Sequence, residues 1–297
     1  MENPKVLLLG SSGQLGQTLL HILRKDFNVF ILNRPELNIT QKTSLRNHIL
    51  DISPDFLINA CAYTNVDGAE TNLDMAYELN SEFPGFLSEV SKDINCLLVH
   101  YSSDYVFDGN KKSPYNEKDN CSPINIYGKS KRQGEENILV SGCRNLIFRT
   151  SWVYSHYREN FFLTILNLAA KQDQLRIIDD QEGSPTSCLL ISNVTKRMLL
   201  KSRSKDFELG LYHLTSSGKT TWYGFTKEIV KLAKNAGLKL KVSEEDIMPI
   251  NTNQFPTTAK RPQNSVLDCS KLSSFLDEKL LTWQSCLEEV VKEAVKN

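Results

Sequence analysis

The sequence predicts an α/β fold built on a doubly wound parallel sheet, with a smaller, less regular region in its C-terminal half. Three observations predict it. Apolar runs of strand length alternate with longer segments of helical periodicity through roughly the first 180 residues. The first run passes straight into a glycine-punctuated turn, Gly10-Ser-Ser-Gly13-Gln-Leu-Gly16, that opens a helix. Beyond about residue 180 the alternation fades and proline-broken loops and short segments take over.

Val6 to Leu9 reads as a buried strand, and the helix after the turn carries Leu19, Leu20 and Leu23. A dinucleotide pyrophosphate needs this order. Glycines permit a tight turn and close backbone approach, and a helix N-terminus offers N–H groups and positive potential. Asn28 to Asn33 is the second strand, followed by Arg34 and Glu36. An acid at this strand end suits the ribose hydroxyl of NAD, whereas an arginine suits a 2′-phosphate, so Arg34 favours NADPH. Thr40 is placed to cap a helix over Ser44 to Leu50. Asp55 to Ala60 is the third strand, ending in Cys61-Ala62-Tyr63-Thr64, whose small residues let a cofactor lie against the strand end.

A long helix is expected from Ala69 to about Val90, then a fourth strand over Cys96 to His100 that runs into Tyr101-Ser102-Ser103-Asp104. Phe107 to Asn125 is polar and reads as a surface loop, with Ser122-Pro123 capping and opening the helix of Tyr127 and Lys131. Asn145 to Arg149 is the fifth strand, leading to Thr150-Ser151-Trp152, and Arg176 to Asp179 is read as the sixth. Then come a turn at Gly183-Ser-Pro185-Thr, a helix over Leu189 to Leu200, a short strand from Gly210 and a helix opened by Thr220-Thr-Trp222-Tyr223. A loop from Pro256 to Pro262 contains Arg261, and a last helix covers about Trp283 to Val295. The expected division is a Rossmann-like dinucleotide-binding domain over residues 1–151, with later segments returning to it. Residues 152–297 mostly form a substrate-binding region interleaved with the first.

Composition narrows the function classes. At 297 residues the chain is long enough for a nucleotide-binding domain with a smaller partner. Lys+Arg and Asp+Glu both number 35, so no net field points to nucleic acid or an anionic membrane. The apolar runs are far short of a membrane span, and the N-terminus enters a strand with no leader pattern, so a cytoplasmic protein is expected. The seven cysteines are widely spaced with no C-x-x-C pair, which suits reduced thiols better than a disulfide frame or zinc. Cys61 and Cys96 read as small buried hydrophobes. Glu288, Glu289 and Glu293 read as a solvated helix face, not metal ligands.

The chemistry centres on Tyr127 and Lys131. Four residues apart on a helix, they share one face, and a cation beside a phenol favours the phenolate, lowering its pKa from about 10. Tyr223 and Lys227 have the same spacing, so context must choose. Tyr127 follows the fourth strand, and Ser103 lies at that strand's carboxyl end, where open α/β sheets bind ligands. Tyr223 has no such partner and reads as an aromatic anchor.

The order Gly10-x-x-Gly13-x-x-Gly16, Ser103, Tyr127-x-x-x-Lys131 resembles the extended short-chain dehydrogenase/reductase family. Longer blocks resemble, within it, the dTDP-4-dehydrorhamnose reductases: Asn59-Ala-Cys-Ala-Tyr-Thr-Asn-Val-Asp-Gly-Ala-Glu70, His100-Tyr-Ser-Ser-Asp-Tyr-Val-Phe-Asp-Gly109, Phe148-Arg-Thr-Ser-Trp-Val-Tyr154 and Arg261-Pro-Gln-Asn-Ser265. The resemblance implies Gly10, Gly13, Gln14, Leu15 and Gly16 around the cofactor pyrophosphate, and Asn33, Arg34, Asn38 and Ile39 at its adenosine end. It implies Cys61, Ala62, Tyr63 and Tyr101 along the dinucleotide, and Tyr127 and Lys131 at the nicotinamide and its ribose. Ser103, Asp104, Trp152, Trp222 and Arg261 would meet a sugar nucleotide, Arg261 through the diphosphate. The chain departs from the pattern twice, with Ser103 where relatives often carry threonine and Asn33 where an acid is expected.

The implied activity is NADPH-dependent reduction of the 4-keto group of dTDP-6-deoxy-L-lyxo-4-hexulose to dTDP-L-rhamnose, with Tyr127 as proton donor; NADH stays admissible. Two rivals share the residue set. One is a nucleotide-sugar epimerase or dehydratase, which regenerates its cofactor within each turnover. The other is a non-catalytic NADP-binding regulatory protein similar to the regulatory subunit of methionine adenosyltransferase. A bridging Mg2+ ion and a homodimer are left open by the sequence.

Overall fold

The structure is a computed structural model that describes residues 3–32, 39, 41–204 and 207–296. Its first half alternates as expected: β1 (Lys5–Leu9), α1 (Gln14–Leu23), β2 (Asn28–Leu32), α2 (Lys42–Ile52), β3 (Phe56–Asn59), α3 (Val66–Ala69), α4 (Leu73–Tyr77), α5 (Phe83–Asp93), β4 (Leu97–Ser103), α6 (Ile126–Ser141) and β5 (Asn145–Thr150). The second half adds β6 (Val153–Tyr154), α7 (Phe161–Lys171), β7 (Leu175–Ile178), β8 (Glu182–Gly183), β9 (Thr186–Ser187), α8 (Cys188–Lys201), β10 (Gly210–His213), β11 (Thr220–Thr221), α9 (Trp222–Asn235), β12 (Ile247–Ile250), α10 (Ser270–Leu276) and α11 (Trp283–Lys296).

Six parallel strands form the main sheet in the order β10-β5-β4-β3-β1-β2. The strands are apolar on both faces because helices cover both. Alternation sends Val6, Leu8, Leu97 and Val99 into one core with Leu19 and Leu23 of α1 and Ile191, Val194 and Met198 of α8. Leu7, Leu9 and Leu98 enter the other core, with Leu45 and Ile49 of α2, Leu87 and Val90 of α5 and Ile138 of α6. The order reverses between β1 and β3, so the crevice at their carboxyl ends lies between the glycine turn and the segment after Asn59. A separate core is built from α7, α9, α11, β7 and β12 around Phe162, Ile165, Phe225, Ile229, Trp283 and Leu287.

Three expectations are corrected. The strand at Leu175–Ile178 exists but pairs with β12 outside the main sheet; the sixth strand of that sheet is β10, beside β5. The helix expected from Ala69 to Val90 is broken at residues 70–72 and widened by a π-turn over Glu78–Glu82. There a Cβ on Gly134 of α6 would lie 2.0 Å from the Asn80 carbonyl oxygen, so the two backbones approach at a bulge that periodicity does not reveal. The cap of α6 is Asn125, not Ser122-Pro123: its side chain accepts from Gly128 N at 2.7 Å and donates to the Lys260 carbonyl at 2.8 Å. Thr40 lies outside the described residues, and Gln41 precedes α2 without a side-chain cap.

Candidate active site

Each glycine of the first turn has its own reason. Gly10 has φ +82°, and a Cβ there would meet the Ala60 carbonyl carbon at 2.8 Å. A Cβ on Gly16 would lie 2.0 Å from the Gly10 carbonyl oxygen, so Gly16 lets α1 close on the turn. Gly13 begins α1 with no side chain over the helix N-terminus, and its Cβ position meets nothing nearer than 3.4 Å. The first N–H groups of the helix are therefore left to an outside acceptor, and the cradle fits a dinucleotide pyrophosphate. A Gly16→Ala change must push this turn open. The expected outcome is at least about a tenfold weaker affinity for a reduced nicotinamide dinucleotide in a fluorescence titration, from roughly 1–3 kcal/mol of overpacking, with far-UV dichroism unchanged.

The side chains of Gln14 and Leu15 are engaged away from the turn. The Gln14 amide donates to the Val153 carbonyl and accepts from Ser155 Oγ, both at 3.3 Å, and Leu15 packs into the first core. Arg158, absent from the sequence reading, crosses from the loop before α7 and donates to the Ser12 carbonyl at 2.9 Å. Nothing in its local sequence signalled that contact. Opposite, Cys61 donates its N–H to Asn59 Oδ1, and burial pushes its thiol up to about 12, which keeps it protonated. The Tyr63 backbone is clamped in both directions by Asn80, whose Nδ2 also donates to Ser130 Oγ on α6. Asn80 was missed because only the π-turn aims it there. Ile39 is half-buried against the second core. Asn33, Arg34, Glu36 and Asn38 lie outside the described residues.

Ser103 ends β4, and its hydroxyl donates to Asp104 Oδ1 at 2.8 Å while accepting from Tyr105 N at 3.1 Å. Ser151 holds the other Asp104 oxygen at 2.8 Å. Burial lifts Asp104 to about 6, against the pull of the Ser103, Ser265 and Ser151 hydroxyls. Asp104 is thus a buried bracket between two strand ends. Tyr127 stands in the first turn of α6, over Gly128, whose missing side chain lets the helix approach the Tyr105 carbonyl. Its ring meets Tyr105 edge-on at 5.7 Å, and its hydroxyl faces Ser103.

The expectation of an acidified phenol is overturned. Burial pushes Tyr127 up to about 12, the Ser103 hydroxyl pulls it back, and Asp104 adds to the rise. The Lys131 charge contributes nothing to that shift. The lysine is itself fully buried, donates to the Tyr101 carbonyl and lies 3.5 Å from His100 Nε2. Burial lowers it to about 8 although Glu135 opposes this.

Tyr101 is corrected as well. Its side chain points to the opposite face of β4, where the hydroxyl meets Thr195 Oγ1 at 2.9 Å and the ring packs on Phe148. Only its carbonyl reaches the site, because strand neighbours alternate.

On the other side of the crevice Trp152, at φ +46°, stacks on Trp222 with ring centroids 3.5 Å apart. A Cβ on Gly183 would strike the Trp152 indole at 2.4 Å, so this glycine admits the ring. Trp222 Nε1 donates to Gln181 Oε1 at 3.2 Å. Arg261 Nη2 donates to Asp67 Oδ2 at 2.9 Å, and its Nε is buried without a hydrogen-bond partner. Tyr223 sits on α9 with the Lys227 amine 5.5 Å from its ring centre, as an aromatic anchor would. Glu288 and Glu289 are exposed on α11, and Glu293 pairs with Lys296. All seven cysteines are free thiols. Among the described residues no three His, Cys, Asp or Glu side chains gather as a metal site, so the Mg2+ expectation gains no support, and no helix is long and apolar enough to cross a membrane.

Residues 4–296 match the family model described as RmlD substrate binding domain. The chain is 38% identical over 284 residues to a dTDP-4-dehydrorhamnose reductase of Burkholderia thailandensis, covering 94% of this chain and 95% of that protein. It is 33% identical to the Escherichia coli K12 protein of the same name, covering 97% of each. A crystal structure of a dTDP-4-dehydrorhamnose reductase from Bacillus anthracis in complex with NADP superimposes with a TM-score of 0.90 at 30% identity, covering 98% of this chain and 99% of that one.

Proposed function

Since this chain belongs to the dTDP-4-dehydrorhamnose reductase family and is an NAD(P)H-dependent oxidoreductase, we propose that it uses NADPH to reduce the 4-keto group of dTDP-6-deoxy-L-lyxo-4-hexulose, giving dTDP-L-rhamnose. One observation carries the reading: the Tyr127 phenol faces the Ser103 hydroxyl at the carboxyl edge of the sheet, with Lys131 one turn behind. These groups are about 24 positions apart along the chain, yet they meet beside the crevice that suits a dinucleotide.

The glycine turn and the N-terminus of α1 would hold the cofactor pyrophosphate, and a reduced nicotinamide would supply the hydride when bound. The chain's own residues do the rest. As the C4 carbonyl gains the hydride its π bond opens onto oxygen, and Tyr127 gives that oxygen the phenolic proton. Ser103 hydrogen-bonds the same oxygen, a contact that strengthens as negative charge develops. Lys131 would hold the ribose of the bound cofactor and return a proton to the phenolate. Trp152, Trp222 and Arg261, from the 152–297 region, receive the sugar nucleotide; Arg261 would exchange part of its Asp67 contact for the diphosphate.

The test is an assay of the purified protein with NADPH and the dTDP-4-keto-6-deoxy sugar. One NADPH should be consumed per product, and the product should carry the rhamno configuration at C4. Turnover without net NADPH consumption would make the protein an epimerase or dehydratase. No turnover, together with co-purification of another enzyme, would make it a regulatory binder.

A further inference from the structure

Beneath Lys131 two buried polar side chains take no part in the reduction as drawn. Asn59 ends β3 and His100 lies in β4; they are register partners, 1% and 0% exposed. The Cys61 N–H donates to Asn59 Oδ1 at 3.1 Å, which fixes the way the amide points. Its Nδ2 end therefore faces His100 Nδ1, at 3.2 Å. An amide nitrogen only donates, so Nδ1 must accept. Burial, and then the Lys131 charge, hold His100 well below its ordinary range, so the ring is neutral. Its single proton sits on Nε2, and Nε2 lies 3.5 Å from Lys131 Nζ. An ammonium offers that N–H nothing to bind, whereas a free amine offers a lone pair.

We propose that Asn59 and His100 are positioning residues for Lys131: the amide locks the imidazole with its proton on Nε2, and that N–H faces the lysine nitrogen so that Lys131 releases a proton readily. The inference rests on the reductive reading above, in which Tyr127 loses a proton to the sugar oxygen in every turnover and must regain one. The groups around Lys131 are few. Tyr127 and Glu135 lie on its own helix and His100 on β4. Arg149 of β5 sits beyond Glu135, Asp104 sits beyond Tyr127 and Ser103, and the π-turn presents the uncharged Asn80. Glu135 and the Tyr101 carbonyl favour the ammonium and burial opposes it; the imidazole N–H, 3.5 Å from Nζ, is placed to act in the same direction as burial.

The direct test is a long-range proton–nitrogen NMR correlation on the full chain, which reports which ring nitrogen of each histidine carries the proton. His100 is identified as the ring that disappears in His100→Leu, or as the one that changes tautomer in Asn59→Asp if the leucine variant does not fold. A wild-type His100 protonated on Nδ1 overturns the proposal, whatever the enzyme reduces. Asn59→Asp tests the consequence. Its carboxylate can accept from both Cys61 N–H and His100 Nδ1, so the proton leaves Nε2 and a lone pair faces Lys131. The basic limb of the kcat–pH profile should then move up by about one unit, a tenfold change in proton affinity. NADPH affinity at pH 7 should stay within about twofold. In Asn59→Asp/His100→Leu the shift should vanish. A basic limb unchanged in the single variant, or a shift that persists in the double variant, overturns the role given to His100. Failure of the wild-type protein to reduce the keto-sugar would instead sink the proposed substrate, and the NMR result would stand apart from it.

Discussion

Tyr127→Phe is expected to lower kcat at least about a hundredfold, because a general acid typically contributes about 10²–10⁴-fold. The substitution removes one oxygen and little else. The ring keeps its edge-on contact with Tyr105, and no backbone group of α6 depends on the hydroxyl. The melting temperature and the NADPH dissociation constant should therefore stay close to wild type, and kcat should fall with kcat/KM, as for an interaction made only in the transition state. The rise of its pKa to about 12 leaves the phenol protonated, as an ordinary phenol also is at neutral pH. At neutral pH the phenol is protonated and ready to act as an acid, with no need of a separate proton source in the step itself. Near-normal turnover in the variant would transfer the proton donation to another group and dismantle the mechanism.

That outcome bears on what a sequence can say. The glycine turn and its helix were legible because each glycine answers a local steric demand, and local demands leave a spacing behind. Helical spacing and strand-end position are both read along the chain, which is why the sequence groups Tyr127, Lys131 and Ser103; of these, the Ser103 hydroxyl does meet the Tyr127 phenol. The direction of the Tyr127 shift was not. The spacing predicts a cation beside a phenol, but the Lys131 amine turns to the Tyr101 carbonyl and His100, and burial of the phenol then decides. Burial is a property of the packed molecule.

The same limit explains the other misses. Arg261 meets Asp67 across 194 positions, and Trp152 meets Trp222 across about 70, so no window of sequence contains either contact. Tyr101 was placed along the cofactor with its neighbours, although a strand sends adjacent side chains to opposite faces. Strand Leu175–Ile178 was recognisable as a strand, but its partner, Ile247–Ile250, lies too far along the chain for its sheet to be known.

The largest stability effect is expected from Glu135→Ala. Glu135 is one turn beyond Lys131 on α6 and fully buried, and its carboxylate accepts from Arg149 Nε at 2.8 Å and Arg149 Nη2 at 2.7 Å. Arg132 adds a third contact at 2.9 Å. Arg149 is itself only 1% exposed, with its guanidinium 5.1 Å from the Phe107 ring centre and near Cys121 and His213. Burial alone would raise the Glu135 carboxyl, but the Arg149 hydrogen bonds and charge, with Ser102 and Arg132, hold it below its ordinary value. Removing the carboxylate strands a buried guanidinium, a change that costs about 3–5 kcal/mol. Urea unfolding at pH 7 should show that loss.

The pH dependence follows from the sign of the shift. A carboxyl whose pKa is lower in the folded state contributes stability that is fully present above its unfolded value and disappears as pH falls through the folded one. The wild type should therefore lose stability below about pH 4.5, the ordinary glutamate value, and its unfolding free energy should converge on that of Glu135→Ala as acid is added. The companion variant Glu135→Leu/Arg149→Met removes both charges and should regain most of the loss. If Glu135→Ala costs less than about 1 kcal/mol, or the double variant is no better than the single, the pair does not carry the packing of α6 against β5. Lys131 would then be oriented by its strand contacts alone.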